Sequence, residues 1–209
     1  MYFAAASDRW ILETTEELAH KGRGRPRDEE ARNRILGAAL QVLEEQGFAN
    51  TTTDAIAERA GASKATIYRW WPHKAAVLIE ALRENVAQEM PFPDTGDLRE
   101  DIRLQLRNFI RLLNGPHGRI FKAFVAAAQS DPEVAEAFKT VWVRPRRMDA
   151  KQVLEHHRGN SLREDADLDL VMDALYGPLY YRLLIGHGCL SEVYTDALTD
   201  LVLASILKT

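Results

Sequence analysis

Cysteine and long apolar runs are both scarce in this sequence. Its 209 residues include one cysteine, Cys189, which excludes an intramolecular disulfide framework and any metal site built from several cysteines. The longest apolar stretches, such as ILGAAL and LVLASIL, are far shorter than the roughly 20 residues that a membrane-spanning helix requires. The sequence therefore predicts a protein of a reducing compartment, the cytoplasm, with no membrane partner.

Strand-like alternation is also absent, because no segment alternates apolar and polar residues between hairpin turns. Apolar residues instead recur at helical spacing almost throughout, as at Leu98, Ile102 and Leu106. A hydrophobic fraction of 46% with 28% charged residues is typical of a globular chain. The predicted fold class is all-α.

Groupings of catalytic residues are missing as well. The sequence has no nucleophile with a positioned base, no paired carboxylates and no phosphate-binding loop. A helical enzyme that uses His117, His156, His157 or His187 stays open as an alternative hypothesis. His156 and His157 are adjacent, so on a helix they point about 100° apart, and neither a metal site nor a cofactor is predicted.

Three short predicted helices stand out in residues 30–70. The first follows the acidic DEE and ends at Gly47, the second lies within TTTDAIAERAG, and the third begins after the N-cap Ser63 and ends before Pro72. The AGAS connection between the last two is short and contains glycine. These dimensions are typical of a helix-turn-helix, whose second helix enters a major groove of DNA.

The third helix, SKATIYRWW, has few apolar residues to bury. Ile67 and one aromatic residue are the clear inward candidates, which leaves its other side chains facing outward. Lys64 and Thr66 can donate hydrogen bonds to base edges, whereas Tyr68, Arg69 and Lys74 suit phosphates. This pattern predicts DNA recognition.

The stretch GFANTTTDAIAERAGASKATIYRWWPHKAAVL resembles the DNA-binding domain of TetR-type transcription regulators almost position for position. The second half, chiefly LYGPLYYRLLIGHG, also resembles a ligand domain of that family. Two departures concern base preference and packing: Ala65 stands where many relatives have Gly, and Trp70-Trp71 where many have a His-Phe pair. The Ala65 methyl is expected to reach a thymine methyl, and Trp71 to pack beneath the recognition helix.

The resemblance implies an N-terminal helix-turn-helix domain at 28–75 and a helical ligand-sensing and dimerisation domain at 76–209, after a flexible leader and basic arm at 1–27. The residues predicted to contact DNA are Arg23, Arg25, Thr52, Thr53, Ser63, Lys64, Ala65, Thr66, Tyr68, Arg69, Trp70, His73 and Lys74. Those predicted to line an inducer cavity are Leu106, Ile110, Phe124, Phe138, Trp142, Met172 and Tyr176. Those predicted at a dimer interface are Leu175, Leu179, Leu183, Leu198, Leu201 and Val202.

The function that these features predict is a homodimeric regulator, a repressor that a small hydrophobic effector releases from a palindromic operator in double-stranded DNA. An architectural DNA-binding dimer without an effector is the alternative. The absence of a cavity from the C-terminal half would favour that alternative.

The basic run KGRGRPR supplies one prediction that needs no structure. Gly22 and Gly24 keep this segment thin, and its arginines are of the kind that enter narrow, A·T-rich minor grooves. Deleting Met1 to Arg25 is expected to weaken DNA binding, most of all on A·T-flanked sites, and to flatten the salt dependence by about 0.9 per lost phosphate contact. A basic linker that only steers association would give a loss independent of flanking sequence, and unchanged affinity and salt slope would exclude any DNA role.

Overall fold

The computed structural model describes residues 26–208, apart from the side chains of residues 26–28, 88 and 89. Within this range the regular elements are helices, which confirms the all-α prediction; Arg23 and Arg25 lie outside the described residues. In chain order the helices are α1 Pro26–Asn50, α2 Thr53–Ala60, α3 Lys64–Trp70, α4 Lys74–Glu89, α5 Leu98–Asn114, α6 Gly118–Ala127, α7 Pro132–Ala137, α8 Arg144–His156, α9 Leu168–Ile185 and α10 Glu192–Ile206.

The ends of the first helices follow from local chemistry. The backbone leaves helical geometry at Gly47, where φ is 74°, a left-handed conformation that glycine adopts without strain. Thr52 caps α2 by accepting a hydrogen bond from the Ala55 amide, and Ser63 caps α3 by accepting one from the Thr66 amide. Gly61, also left-handed, ends α2. Each of these residues is a predicted cap or stop.

Helix α3 is held from below by Trp71. The Trp71 side chain is 3% exposed and packs in the core with Ile35, Ile56 and Ile67, as predicted. Its indole N–H donates to a Glu80 carboxylate oxygen at 2.6 Å, and Glu80 also pairs with Arg32. The network joins α1, the end of α3 and α4, so a tilt of the recognition helix would strain the hydrogen bond from Trp71 to Glu80.

Helix α4 is buried on nearly every side. It packs against α1 on one side and against α7 and the segment that follows α7 on another. Val77, Leu78 and Ile79 are consecutive and each has 0% of its surface exposed. Because consecutive residues point about 100° apart, a helix with three such positions is enclosed rather than amphipathic.

Helices α5 and α10 pair antiparallel through a ladder of ions. Four arginines spaced four apart on α5 meet three acids spaced four apart on α10, in reverse order. Arg99 pairs with Asp200, Arg107 with Asp196 and Arg111 with Glu192, while Arg103 lies 3.5 Å from Asp200 and 3.7 Å from Asp196. Hydrogen bonds from Arg107 lower the pKa of Asp196. Single surface pairs stabilise little, but a matched series disfavours any other register of the two helices.

A π-helical segment, Phe138–Val143, connects α7 to α8. Pro145 lies in the first turn of α8, directly after the π-helical segment ends, a position that suits proline. Pro178 lies inside α9. Wide π turns are frequent at functional sites, and this one carries Phe138 and Trp142.

Gly118 gives the fold a testable steric constraint. A Cβ at Gly118 would lie 1.9 Å from the Leu113 carbonyl oxygen, whereas a Cβ at Gly37, inside α1, would meet nothing within 4 Å. We expect Gly118→Ala to lower the free energy of unfolding by about 1 to 3 kcal/mol through overpacking. Gly37→Ala should raise it by about 0.5 to 1 kcal/mol, because alanine loses less backbone entropy in a helix. Urea denaturation measures both, and equal effects would contradict the close approach at Gly118.

Candidate functional site

The outer face of α3 is a compact polar surface. Ile67 is buried at 1% exposure, while Lys64, Ala65, Tyr68 and Arg69 are exposed. Small side chains at the leading end of the helix allow a close approach to base edges. The structure therefore places the predicted readers on one accessible face, and their contacts with DNA stay a prediction.

Two of those side chains already have partners in the protein. The Lys64 ammonium lies 2.6 Å from an Asp54 carboxylate oxygen on α2, and this hydrogen bond raises the pKa of Lys64. The Thr66 hydroxyl lies 2.9 Å from that of Ser63. Both pairs are exposed, so DNA would compete with them at modest cost.

The residues around α3 add further polar groups. The Tyr68 hydroxyl donates to the Thr53 hydroxyl at 3.4 Å, so it already points at the start of α2. Thr52 is exposed at that helix N-terminus, a position that suits a phosphate. The Trp70 ring is 39% exposed, and the Arg69 guanidinium lies 5.9 Å from its centroid.

The side chains of His73 and Lys74 have partners within the protein. The His73 ring accepts a hydrogen bond from the Ala76 amide and so caps α4. The Lys74 ammonium donates to the Phe48 carbonyl at 3.2 Å and lies 4.9 Å from the centre of the Phe48 ring. The turn at Gly47 brings Phe48 to the start of α4. The contacts of His73 and Lys74 with DNA phosphates stay a prediction.

An aromatic cavity of about 360 Å³ lies between α5, the π-helical segment, α8 and α9. Four of the seven side chains predicted for an inducer cavity line it, and its full lining is Phe109, Phe138, Trp142, Val143, Arg146, Arg147, Met172, Asp173, Tyr176, Gly177 and Tyr180. The Phe138 and Trp142 rings are stacked with centroids 6.5 Å apart. Its size and apolar walls suit a small organic ligand.

Three predicted cavity residues are in the core instead. Leu106, Ile110 and Phe124 are buried but do not line the cavity. The Phe124 ring contacts the Phe48 ring edge to face, with centroids 5.0 Å apart, and so joins α6 to α1. A stripe of apolar residues predicts burial, but it does not predict which neighbour covers each member.

Several lining residues were missed by sequence reasoning. Tyr180 follows Tyr176 by one helical turn, so the spacing on α9 could have identified it. Arg146 follows Trp142 by the same interval, but a charged residue in the sequence is ordinarily predicted to be solvated. No pattern in the sequence indicated that Asp173 would line the cavity.

The predicted dimer residues also need correction. Leu175, Leu179, Leu198 and Val202 are buried within one protomer, because α9 and α10 turn those side chains toward the core. Leu183 is half-buried, and only Leu201, at 72% exposure, is fully on the surface. The exposed apolar side chains of α9 and α10 lie on the opposite faces: Leu170, Tyr181, Leu184, Ile185, Val193 and Leu201.

The histidines that were considered for an enzyme lie in separate surroundings. His117 lies 3.5 Å from Glu44, His156 packs edge to face on His157, and His187 packs on Tyr181. Among the side chains that the structure describes, residues 29–87 and 90–208, no three acidic, histidine or cysteine side chains are grouped as metal ligands. None of the helices described here has the length and apolar character to cross a membrane.

Comparison with known proteins agrees with this geometry. Residues 35–81 match the family described as bacterial regulatory proteins, tetR family, and residues 92–202 match the tetracyclin repressor-like C-terminal domain. The HTH-type transcriptional regulator YdeS of Bacillus subtilis is 42% identical over 182 residues, 87% of this chain and 90% of that protein. The DNA-binding transcriptional repressor TetR of Mycobacteroides abscessus is 30% identical over 178 residues, 83% of this chain and 92% of that protein.

Solved structures extend the match to the whole helical arrangement. The TetR family transcription regulator SCO0332 superposes with a TM-score of 0.77 and 35% identity, covering 84% of this chain and 97% of that chain. The flavonoid-responsive regulator FrrA superposes with a TM-score of 0.60 and 25% identity, covering 86% of this chain and 98% of that chain. This chain belongs to the TetR family of DNA-binding transcriptional regulators.

Proposed function

We propose that this protein is a repressor that leaves its operator when a small aromatic ligand fills the cavity. The observation that carries the proposal is the position of α4. Only three residues separate the end of α3 from the start of α4. The π-helical segment that forms one cavity wall packs against α4. A ligand that moves Phe138 or Trp142 would therefore push on the helix that orients the recognition helix.

A second contact supports the same link. Phe124 on α6 packs against Phe48, and Phe48 receives Lys74 at the start of α4. Packed side chains thus join the two halves of the chain at two places. One is the contact of the π-helical segment with α4, and the other is the Phe124–Phe48–Lys74 series at the start of α4. Such contacts have few alternative arrangements, so a shift in one half changes the population of conformations in the other.

The mechanism is a shift between two dimer conformations. Two recognition helices must lie about 34 Å apart to enter successive major grooves. A ligand that binds the mis-spaced conformation more tightly lowers DNA affinity by the ratio of its two affinities. The relative from Mycobacteroides abscessus is called a repressor and FrrA is called flavonoid-responsive, names that favour repression and an aromatic effector here.

The presence of the cavity argues against the architectural alternative. A dimer that only shapes DNA has no use for a cavity of about 360 Å³ lined with five aromatic side chains. Filling such a space with apolar side chains would stabilise the fold. The presence of the open cavity is therefore the reason to prefer a ligand-responsive protein over an architectural one.

At the DNA surface, we assign reading of bases to Lys64, Ala65 and Thr66 and phosphate contacts to Tyr68, Arg69 and Trp70. The N-terminal turn of α2, with Thr52 and Thr53, adds a phosphate site. Arg23 and Arg25 are proposed for the adjoining minor groove. Ser63 keeps its role as the cap of α3, and His73 and Lys74 position the α3–α4 corner.

This division predicts two kinds of loss. Lys64→Ala and Thr66→Ala should change discrimination among single-base variants of a selected operator, since base contacts carry ~1 to 3 kcal/mol of discrimination. Tyr68→Phe should weaken binding to all variants alike, and Lys122→Ala, an exposed lysine on α6, should change nothing. Fluorescence anisotropy at fixed salt measures each affinity. An equal loss on every sequence for Lys64→Ala would contradict its reading role.

We propose that the dimer forms through the outer faces of α9 and α10. Leu170, Tyr181 and Leu184 fall within about 60° of one another on α9, given 100° per residue. On α10, Val193 and Leu201 are separated by two turns with the exposed Ala197 between them. Together these faces make an apolar patch of the kind that marks a protein interface, and the two-fold pairing of helices is a compact way to cover it.

A charge on this patch should separate the protomers. Leu201→Asp is expected to give a monomer at micromolar concentration, because each protomer would bury an unpaired carboxylate in the interface. Met148→Asp places the same charge at a side chain of 57% exposure on α8, a helix that contributes no side chain to the patch as defined, and should leave the dimer intact. Light scattering measures the mass, and a dimer of Leu201→Asp would overturn this assignment of the interface.

A further inference from the structure

The cationic side chains of the aromatic cavity differ in their pairing. The Arg147 guanidinium lies 2.5 Å from an Asp173 carboxylate oxygen and 2.8 Å from an Asp169 carboxylate oxygen, which Lys151 shares at 2.6 Å. These four charges neutralise one another. Arg146, the next residue, forms no ion pair with any side chain of residues 29–87 or 90–208 and lies with its guanidinium 5.6 Å from the centre of the Trp142 ring.

The hydroxyl groups near Arg146 are hydrogen-bond donors at neutral pH. Burial raises the pKa of both Tyr176 and Tyr180, and the Arg146 charge opposes that rise without reversing it. Both tyrosines therefore stay protonated.

Arg146 also occupies the boundary between two hollows. It lines the aromatic cavity, and it lines a smaller one of about 100 Å³ together with Met90, Phe92 and Gln105. The guanidinium is half-buried, so its charge is only partly screened by solvent. A cation in such a place attracts an anion more strongly than a lysine or arginine on the open surface does.

We propose that the effector is a flat aromatic acid whose carboxylate, or an equivalent oxyanion, binds the Arg146 guanidinium while its rings lie among Phe109, Phe138 and Trp142. This inference rests on the proposed function, because it names the ligand of the same cavity. An arginine guanidinium can bind a carboxylate through two parallel hydrogen bonds, which fixes the orientation of the ligand as well as its charge.

A cationic ligand is the alternative that aromatic walls would suggest, since rings attract cations through their faces. Here the Trp142 ring already lies beside the Arg146 cation, and Asp173, the one carboxylate in the lining, is paired with Arg147. A second cation would meet repulsion from Arg146, and the lining of the aromatic cavity holds no unpaired carboxylate to offset it, since the exposed Asp149 lines only the smaller hollow. The arrangement of charges thus favours an anion.

Three naphthalene probes of similar size test this inference: 2-naphthoate, neutral 2-naphthamide and 2-naphthylmethylammonium. Isothermal titration of the full-length protein should show 2-naphthoate binding about tenfold or more tightly than 2-naphthamide, in line with a charge-assisted hydrogen bond. The ammonium probe should bind most weakly. This comparison uses the wild-type protein and does not depend on the folding of any variant.

Arg146→Gln should remove the preference, so that 2-naphthoate and 2-naphthamide bind alike. Arg146→Lys should keep part of it, because the charge remains but the paired hydrogen bonds do not. Arg144→Gln removes an exposed cation of the same helix that does not line the cavity, and should leave the preference as in the wild type. A preference unchanged in Arg146→Gln, tighter binding of the amide or the ammonium probe, or no binding of 2-naphthoate would overturn the proposal.

The failure of this inference and that of the proposed function can be told apart. A gel shift on a selected operator, run with saturating 2-naphthoate, reports release from DNA separately from binding. Binding that depends on Arg146 without release would support the ligand class and count against ligand-induced release. Release by 2-naphthamide or the ammonium probe, with no contribution from Arg146, would support release and overturn the ligand class.

Discussion

The burial of α4 on nearly every side is the constraint on which the rest of this structure depends. Its core residues Val77, Leu78 and Ile79 are fully enclosed only because α1 covers one side and the α7–π segment covers another. Fully burying one such side chain contributes about 1.5 to 3 kcal/mol, so α4 as a whole accounts for a large share of the stability of a domain. Neither half of the chain can turn away from α4 without exposing that surface to water.

This shared helix explains how a cavity can act on a DNA-binding surface. The recognition helix α3 is too short to hold its own orientation, and it takes that orientation from Trp71, Glu80 and the Phe48–Lys74 contact. All three lie on or against α4. The cavity wall at Phe138–Val143 packs on the same helix and has the wider geometry of a π turn, a feature frequent at functional sites.

The limits of the N-terminal helices were predictable because local capping and stop residues determine them. Thr52, Ser63 and Gly61 act within one turn of their own positions, and the sequence pattern alone places Ile67 inward. The cavity was predicted in part: Trp142 and Tyr176 line it, but Leu106, Ile110 and Phe124 do not, because apolar spacing does not say which neighbour covers a side chain. The roles of Lys74 and the outward faces of α9 and α10 depend on contacts between distant segments, which spacing does not encode.

The central claim is that α4 makes the two halves of the chain one cooperative unit. Differential scanning calorimetry tests it most directly, because two halves joined by a shared core must melt together. The account predicts a single transition whose midpoint falls both with Ile67→Ala in the first half and with Leu154→Ala in the second, each a side chain with at most 1% exposure. Two transitions, each lowered by only one of these substitutions, would contradict it.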